Sequence, residues 1–141
     1  MLSWNVQGLG GALCRRFKAR IRRELHKFQV GSCDLIMLQE HHLDASKIQS
    51  YGNMLRGDWS YYWIPACGQL ENKCGVCMIL SDKWIQFVLH SQQVVEGRAH
   101  YLLLKINDVV WGFLNIYAPN DRGARKGFWN QIVQQLPHAN H

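Results

Sequence analysis

The order of hydrophobic periodicities at the start of this chain constrains its fold most. Leu2 to Val6 alternates as a strand does and runs into Gly8, Gly10 and Gly11, a turn signal. Leu13, Phe17, Ile21, Leu25 and Phe28 then fall at spacings of four, four, four and three, giving one apolar stripe of an amphipathic helix, with Gly31 as its stop. Next, Asp34-Leu35-Ile36-Met37-Leu38 is a short apolar run ending at Gln39-Glu40, as expected of a buried strand that delivers polar residues at its carboxyl end. Strand, helix, strand in this order predicts a βαβ-like start and an α/β (α+β) fold.

The remainder reads mostly as strands. After a segment expected to be irregular come Tyr61 to Ile64, Val76 to Leu80, Tyr101 to Ile106 and Val109 to Tyr117, with Trp84 to Leu89 as a fifth candidate. Asn107-Asp108 reads as a tight hairpin turn. From Ala124 to Leu136 the spacing of Phe128, Ile132, Val133 and Leu136 is helical, and Pro137 would end the helix. A length of 141 residues, without repeats or a Pro/Ser-rich linker, predicts a single domain over 1–141.

Charge is unevenly spread. The net +6 lies wholly in residues 1–27, which hold Arg15, Arg16, Lys18, Arg20, Arg22, Arg23 and Lys27 against Glu24. Such a segment suits a polyanionic partner, and equally a solvated helix face. No apolar run approaches the roughly 20 residues of a membrane span, so no membrane partner is expected. The amino-terminal residues lack the pattern of a secretory signal, which predicts an intracellular protein, the nucleus included. Five cysteines in such a chain are expected to be reduced thiols. Cys74-Gly75-Val76-Cys77, with Cys67 nearby, has too few ligands for a structural zinc site and falls on a predicted strand, so buried inert thiols are expected. His41 and His42, as neighbours following a strand, are not expected to ligate one metal together.

Three polar clusters stand at the carboxyl ends of predicted strands: Asn5 with Gln7, Gln39 with Glu40, and Asn115, Tyr117 and Asn120 around Pro119. Open α/β sheets bind ligands there. A lone carboxylate with neighbouring amides is a partial site for a hard cation such as Mg²⁺; Glu40 is equally read as a surface residue after a strand.

Trp4-Asn5-Val6-Gln7-Gly8, Leu38-Gln39-Glu40, Gly75-Val76 and Asn115-Ile116-Tyr117-Ala118-Pro119-Asn120, in this order and with Phe128-Trp129 in the following helix, resemble the successive motifs of the endonuclease/exonuclease/phosphatase superfamily. The closest flavour is the apurinic-endonuclease-like domain of LINE-type (non-LTR) retrotransposons. The resemblance implies a Mg²⁺-dependent phosphodiester hydrolase built as a four-layer αββα sandwich. By it, Glu40 is the metal-binding carboxylate, Asn5 orients it or the phosphate, and Tyr117 contacts the scissile phosphate. Asn120 and Arg122 would meet the nucleic-acid backbone, DNA before RNA.

Two positions depart from that pattern: Gln7 stands where apurinic members often carry an acid, and His42 where some relatives have Lys. The later motifs, Gly-Asp-Phe-Asn and a terminal Asp-His pair, do not occur, and neither His138 nor His141 follows an Asp. The expectation is therefore a partial sandwich lacking its C-terminal half and catalytically incomplete, with weak Mg²⁺ binding. An unpaired sheet face would promote self-association. The alternative is a non-enzymatic nucleic-acid-binding remnant using the basic helix at 15–27.

Overall fold

The computed structural model describes residues 1–9, 33–52, 58–67 and 74–136, together with Ala19 and Arg23. The basic helix predicted at 15–27, Ala19 and Arg23 excepted, Cys14 and the histidines at 138 and 141 lie outside the described residues. Among the described residues there are seven strands: β1 Leu2–Asn5, β2 Leu35–Gln39, β3 Trp59–Ile64, β4 Val76–Ser81, β5 Val88–Val95, β6 Ala99–Ile106 and β7 Val109–Ile116. The α-helices with described bounds are α1 Ala45–Gly52 and α2 Arg122–Gln135, and Asp82–Phe87 forms a 3₁₀ turn.

Two sheets result, ordered β1-β2-β4-β3 and β5-β6-β7. β1 and β2 pair in parallel, with Asn5 opposite Gln39, as a βαβ-like start requires. All other pairings are antiparallel. Strand alternation gives β2 and β4 two buried faces. Leu35, Met37, Met78 and Leu80 meet Leu102 and Leu104 of the second sheet. Ile36, Leu38, Cys77 and Ile79 face the other way, with Val6, Leu43 and, on α1, Ile48 packed over them. The second sheet turns Val94 and Ala99 outward onto Phe128 and Ile132 of α2. The layers thus run α1, sheet, sheet, α2, the αββα order.

Three expectations are corrected. The expected irregular segment contains α1, started by Asp44, whose Oδ1 accepts from Ser46 Oγ at 2.7 Å and from the Lys47 amide at 2.9 Å. Trp84–Leu89 is not one strand: the 3₁₀ turn occupies it to Phe87. The near-eclipsed i, i+3 spacing of that turn brings the Trp84 and Phe87 rings together, centroids 5.6 Å apart and planes tilted by 51°, against the inter-sheet core. The inner sheet faces are not left bare, because both sheets are present and cover each other. Apolar exposure sits instead on β7, where Val109, Val110 and Trp111 are about half exposed (52%, 54% and 52%), and at Trp129 and Val133 of α2. The Asn107-Asp108 turn is as predicted, with both residues at positive φ, 50° and 61°, the signature of a type I′ hairpin.

Candidate active site

The carboxyl ends of β1, β2 and β7 converge, which brings three of the predicted site residues together. Asn5 closes β1 and donates from Nδ2 to Glu40 Oε1 at 2.6 Å. Its Oδ1 accepts from the Gln7 amide at 3.1 Å, so the Asn5 side chain is fixed at both ends. Glu40 follows β2 in a left-handed conformation, φ 57°, which swings its carboxylate out of the strand and over the sheet end. The Tyr117 hydroxyl bonds to Glu40 and to Asn120, and its ionisation is pushed upward first by burial, then by the Glu40 carboxylate. Arg122 opens α2, exposed, with no bond to the Glu40 cluster among the described residues.

Beneath these groups a polar peg locks the two sheets. Asn115, 1% exposed, donates from Nδ2 to the carbonyls of Leu38 and Cys77, both at 3.0 Å. Its Oδ1 accepts from Gln39 Nε2 at 2.6 Å. A cleft of about 350 Å³ opens beside it, lined by Ser3, Asn5, Gln39, Asn115 and Tyr117. The residues that brace Tyr117 and Asn120 were not legible in the sequence. Arg98 lies over the Tyr117 ring at 5.4 Å, and Arg125 donates to the carbonyls of Pro119 and Asn120 at 2.9 and 3.1 Å.

His41 and His42 part company, as expected, though the segment is not a strand. His41 is wholly buried: Nε2 meets the Ile64 carbonyl at 3.0 Å and Nδ1 accepts from the Leu43 amide. Burial lowers its pKa to about 4. His42 turns back, with Nε2 3.6 Å from Glu40 Oε2. The cysteines are free thiols where described. Cys74 is buried and contacts Cys67 rather than Cys77: the Cys67 amide donates to Cys74 Sγ at 3.3 Å. Burial pushes the Cys67 thiol up to about 11 and the enclosed Cys77 thiol well above its ordinary value.

Residues 2–137 match the Endonuclease/Exonuclease/phosphatase family. The chain belongs to that family. Endonuclease/exonuclease/phosphatase proteins are generally dependent on a divalent metal. Among solved structures of this fold, the chain is similar to the AP endonuclease LMAP from Leishmania major, with 17% identity over 95% of this chain and 46% of that one, at a TM-score of 0.70. It is also similar to D. rerio TDP2 humanized by 14 mutations (16% identity, 98% and 56% covered, TM-score 0.66). D. rerio TDP2 complexed with single strand DNA product gives 15% identity, 96% and 55% covered, and a TM-score of 0.62. The chain thus spans about half the length of these structures. No curated protein sequence matches it.

The donor set fits the family's cation in part. Mg²⁺ takes one or two carboxylates and keeps several waters, and Glu40, fixed by Asn5, offers one such carboxylate beside open cleft. Among the described residues no three His, Cys, Asp or Glu side chains converge, so a closed all-protein cage is not formed. No helix of the described residues is long and apolar enough to cross a membrane.

Proposed function

We propose that this chain carries the metal- and phosphate-binding half of a nucleic-acid phosphodiester hydrolase site. The observation that carries this reading is the 2.6 Å contact between Asn5 and Glu40 where two parallel strand ends meet Tyr117. Glu40 would hold a divalent cation, Mg²⁺ by resemblance, and Asn5 fixes the carboxylate's direction. When bound, the cation neutralises developing charge on the phosphate and acidifies water. Tyr117 offers its hydroxyl to the phosphate, and Asn120 and Arg122 stand outward to meet the flanking backbone. DNA is the favoured polymer, since the similar D. rerio TDP2 holds a single strand DNA product.

Neither Gly-Asp-Phe-Asn nor an Asp-His pair occurs in the 141 residues, so this half-site binds without turning over on its own: general-base chemistry needs a positioned proton acceptor. The motif resemblance supports descent from a LINE-type retroelement, and DNA as the favoured polymer supports work in the nucleus. Self-association, first expected from a bare sheet face, we assign to the exposed β7 residues.

The test is Mg²⁺-dependent binding and nicking of supercoiled plasmid by the chain and by Glu40→Ala, both checked for folding by circular dichroism. Expected are no nicking by either protein and Mg²⁺-dependent retention lost in the variant. Nicking by the parent alone overturns the incomplete-site reading. Retention unchanged by Glu40→Ala, but collapsing with salt, favours the second reading. That is a non-enzymatic binder using the basic segment at 15–27, which carries all the excess charge.

A further inference from the structure

We propose that Glu40 Oε2 and His42 Nε2 form a two-donor cation site that takes a first-row transition dication in preference to Mg²⁺. The inference rests on the reading of Glu40 as the metal carboxylate and adds the ion it selects. His42 Nε2 is screened from water and has no hydrogen-bond partner among the described residues. Glu40 Oε2 stands 3.6 Å from it, too long for a hydrogen bond. A buried ring nitrogen left in that state costs stability, so its position asks for a ligand between the two atoms. Donors each roughly 2.1 Å from one ion stand up to about 4.2 Å apart, and the observed separation lies within that reach.

The backbone builds this arrangement. Glu40 and His42 both take left-handed φ, 57° and 59°, while His41 between them is turned inward to the Ile64 carbonyl. Two such non-glycine residues in one short segment are strained and persist only where the surroundings hold them. The surroundings do so here: the Gly8 amide donates to the Glu40 carbonyl at 2.7 Å and the His42 amide to the Cys74 carbonyl at 3.0 Å. Gly8 also makes the room, since a Cβ there would lie 2.8 Å from His42 Nδ1. Asn5 engages Oε1 and the Tyr117 hydroxyl also bonds the carboxylate, while Oε2 is the oxygen 3.6 Å from the imidazole. An imidazole nitrogen suits ions such as Zn²⁺, Fe²⁺ and Ni²⁺, and Mg²⁺ prefers an all-oxygen shell. His42, standing where some relatives have Lys, thus offers a donor to metal in place of a fixed positive charge.

Mn²⁺ is the probe, titrated calorimetrically beside Mg²⁺ and examined by electron spin-echo modulation, which detects a directly bound nitrogen. The proteins are the chain, His42→Ala, His42→Gln as a bulk-preserving second variant, and Glu40→Gln. We expect the parent to bind Mn²⁺ at least tenfold more tightly than Mg²⁺ and to show nitrogen coupling. Both His42 variants should lose the coupling and about tenfold or more of Mn²⁺ affinity, with Mg²⁺ affinity within about twofold. Mn²⁺ binding that needs Glu40 but shows no nitrogen and ignores His42 overturns the inference and leaves the Glu40 reading standing. Binding that is absent, or indifferent to Glu40→Gln, overturns the Glu40 reading and this inference with it.

Discussion

Gln39 Nε2 donates to Asn115 Oδ1 at 2.6 Å, a bond between the two sheets made directly beneath the Glu40 carboxylate. It orients the Asn115 amide so that its nitrogen can serve the Leu38 and Cys77 carbonyls. Leu38 and Cys77 stand opposite each other in the β2–β4 ladder. Removing that amide takes the second bond from each carbonyl and the Asn115 acceptor from Gln39 Nε2, each lost bond at about 1 kcal/mol. Asn115→Ala should therefore lower unfolding free energy by about 2–4 kcal/mol in urea titration. Asn115→Asp should be no milder, because a carboxylate has no proton to give the two carbonyls.

Tyr117→Phe removes a hydroxyl that touches both Glu40 and Asn120 while keeping the ring under Arg98. Stability should fall by about 1 kcal/mol or less. Binding of a short DNA duplex in Mg²⁺, followed by fluorescence anisotropy, should weaken by about tenfold. An unchanged affinity would remove Tyr117 from the phosphate site.

Two buried histidines set a pH dependence. His41 and His100 each have a pKa lowered to about 4 by burial. Because the unfolded chain takes up these protons near pH 6.5 and the folded one does not, stability is full above 6.5. It falls as the pH drops from there through about 4, by up to about 1.4 kcal/mol per pH unit for each site. Denaturation midpoints at pH 7.5, 6 and 5 test this. His100→Gln should flatten the slope, since Gln keeps a partner for Ser91 Oγ, now 2.8 Å from His100 Nε2, without a titrating group.

Gly75→Ala should be severe. Gly75 has φ 101°, and a Cβ there would stand 2.5 Å from the enclosed His41 ring. Its carbonyl also accepts from the His41 amide. The loss should be about 3 kcal/mol or more, read as a lower thermal midpoint, with cation binding lost because Glu40 and His42 flank His41.

Self-association should depend on β7. Trp111→Lys places a charge on an exposed edge strand, the device by which natural sheets discourage edge pairing. Sedimentation should show the parent's concentration-dependent mass reduced in the variant; a concentration-independent parent would end that assignment.

Much of this was legible in residues because local periodicity reports burial. The unbroken run Leu35 to Leu38 announced a strand covered on both faces, and Asn107-Asp108 announced the type I′ turn. The convergence of Asn5, Glu40 and Tyr117 was legible only through motif resemblance, because strand order is a long-range property. β5 from His90 to Gln93 was hidden by its polar composition, for one face of it meets water. Arg98, Arg125 and the Asn115 peg act through tertiary contacts that no spacing rule encodes. The positive φ of Glu40 and His42 was equally invisible, since Glu does not favour that conformation and the modest enrichment of His in it does not single out one residue.

The hairpins β5-β6-β7 join strands that are neighbours in sequence, whereas β1 reaches β2 across some thirty residues and β2 skips β3 to reach β4. Closing short loops loses less entropy than closing long ones, so the meander is expected to form first and to wait for the other sheet. Asn115, already in place on β7, would then act as the gauge against which the late-arriving β2 and β4 are set in register. Glu40 would acquire its position only when that docking is complete, which ties the chemistry of the chain to the last event in its assembly.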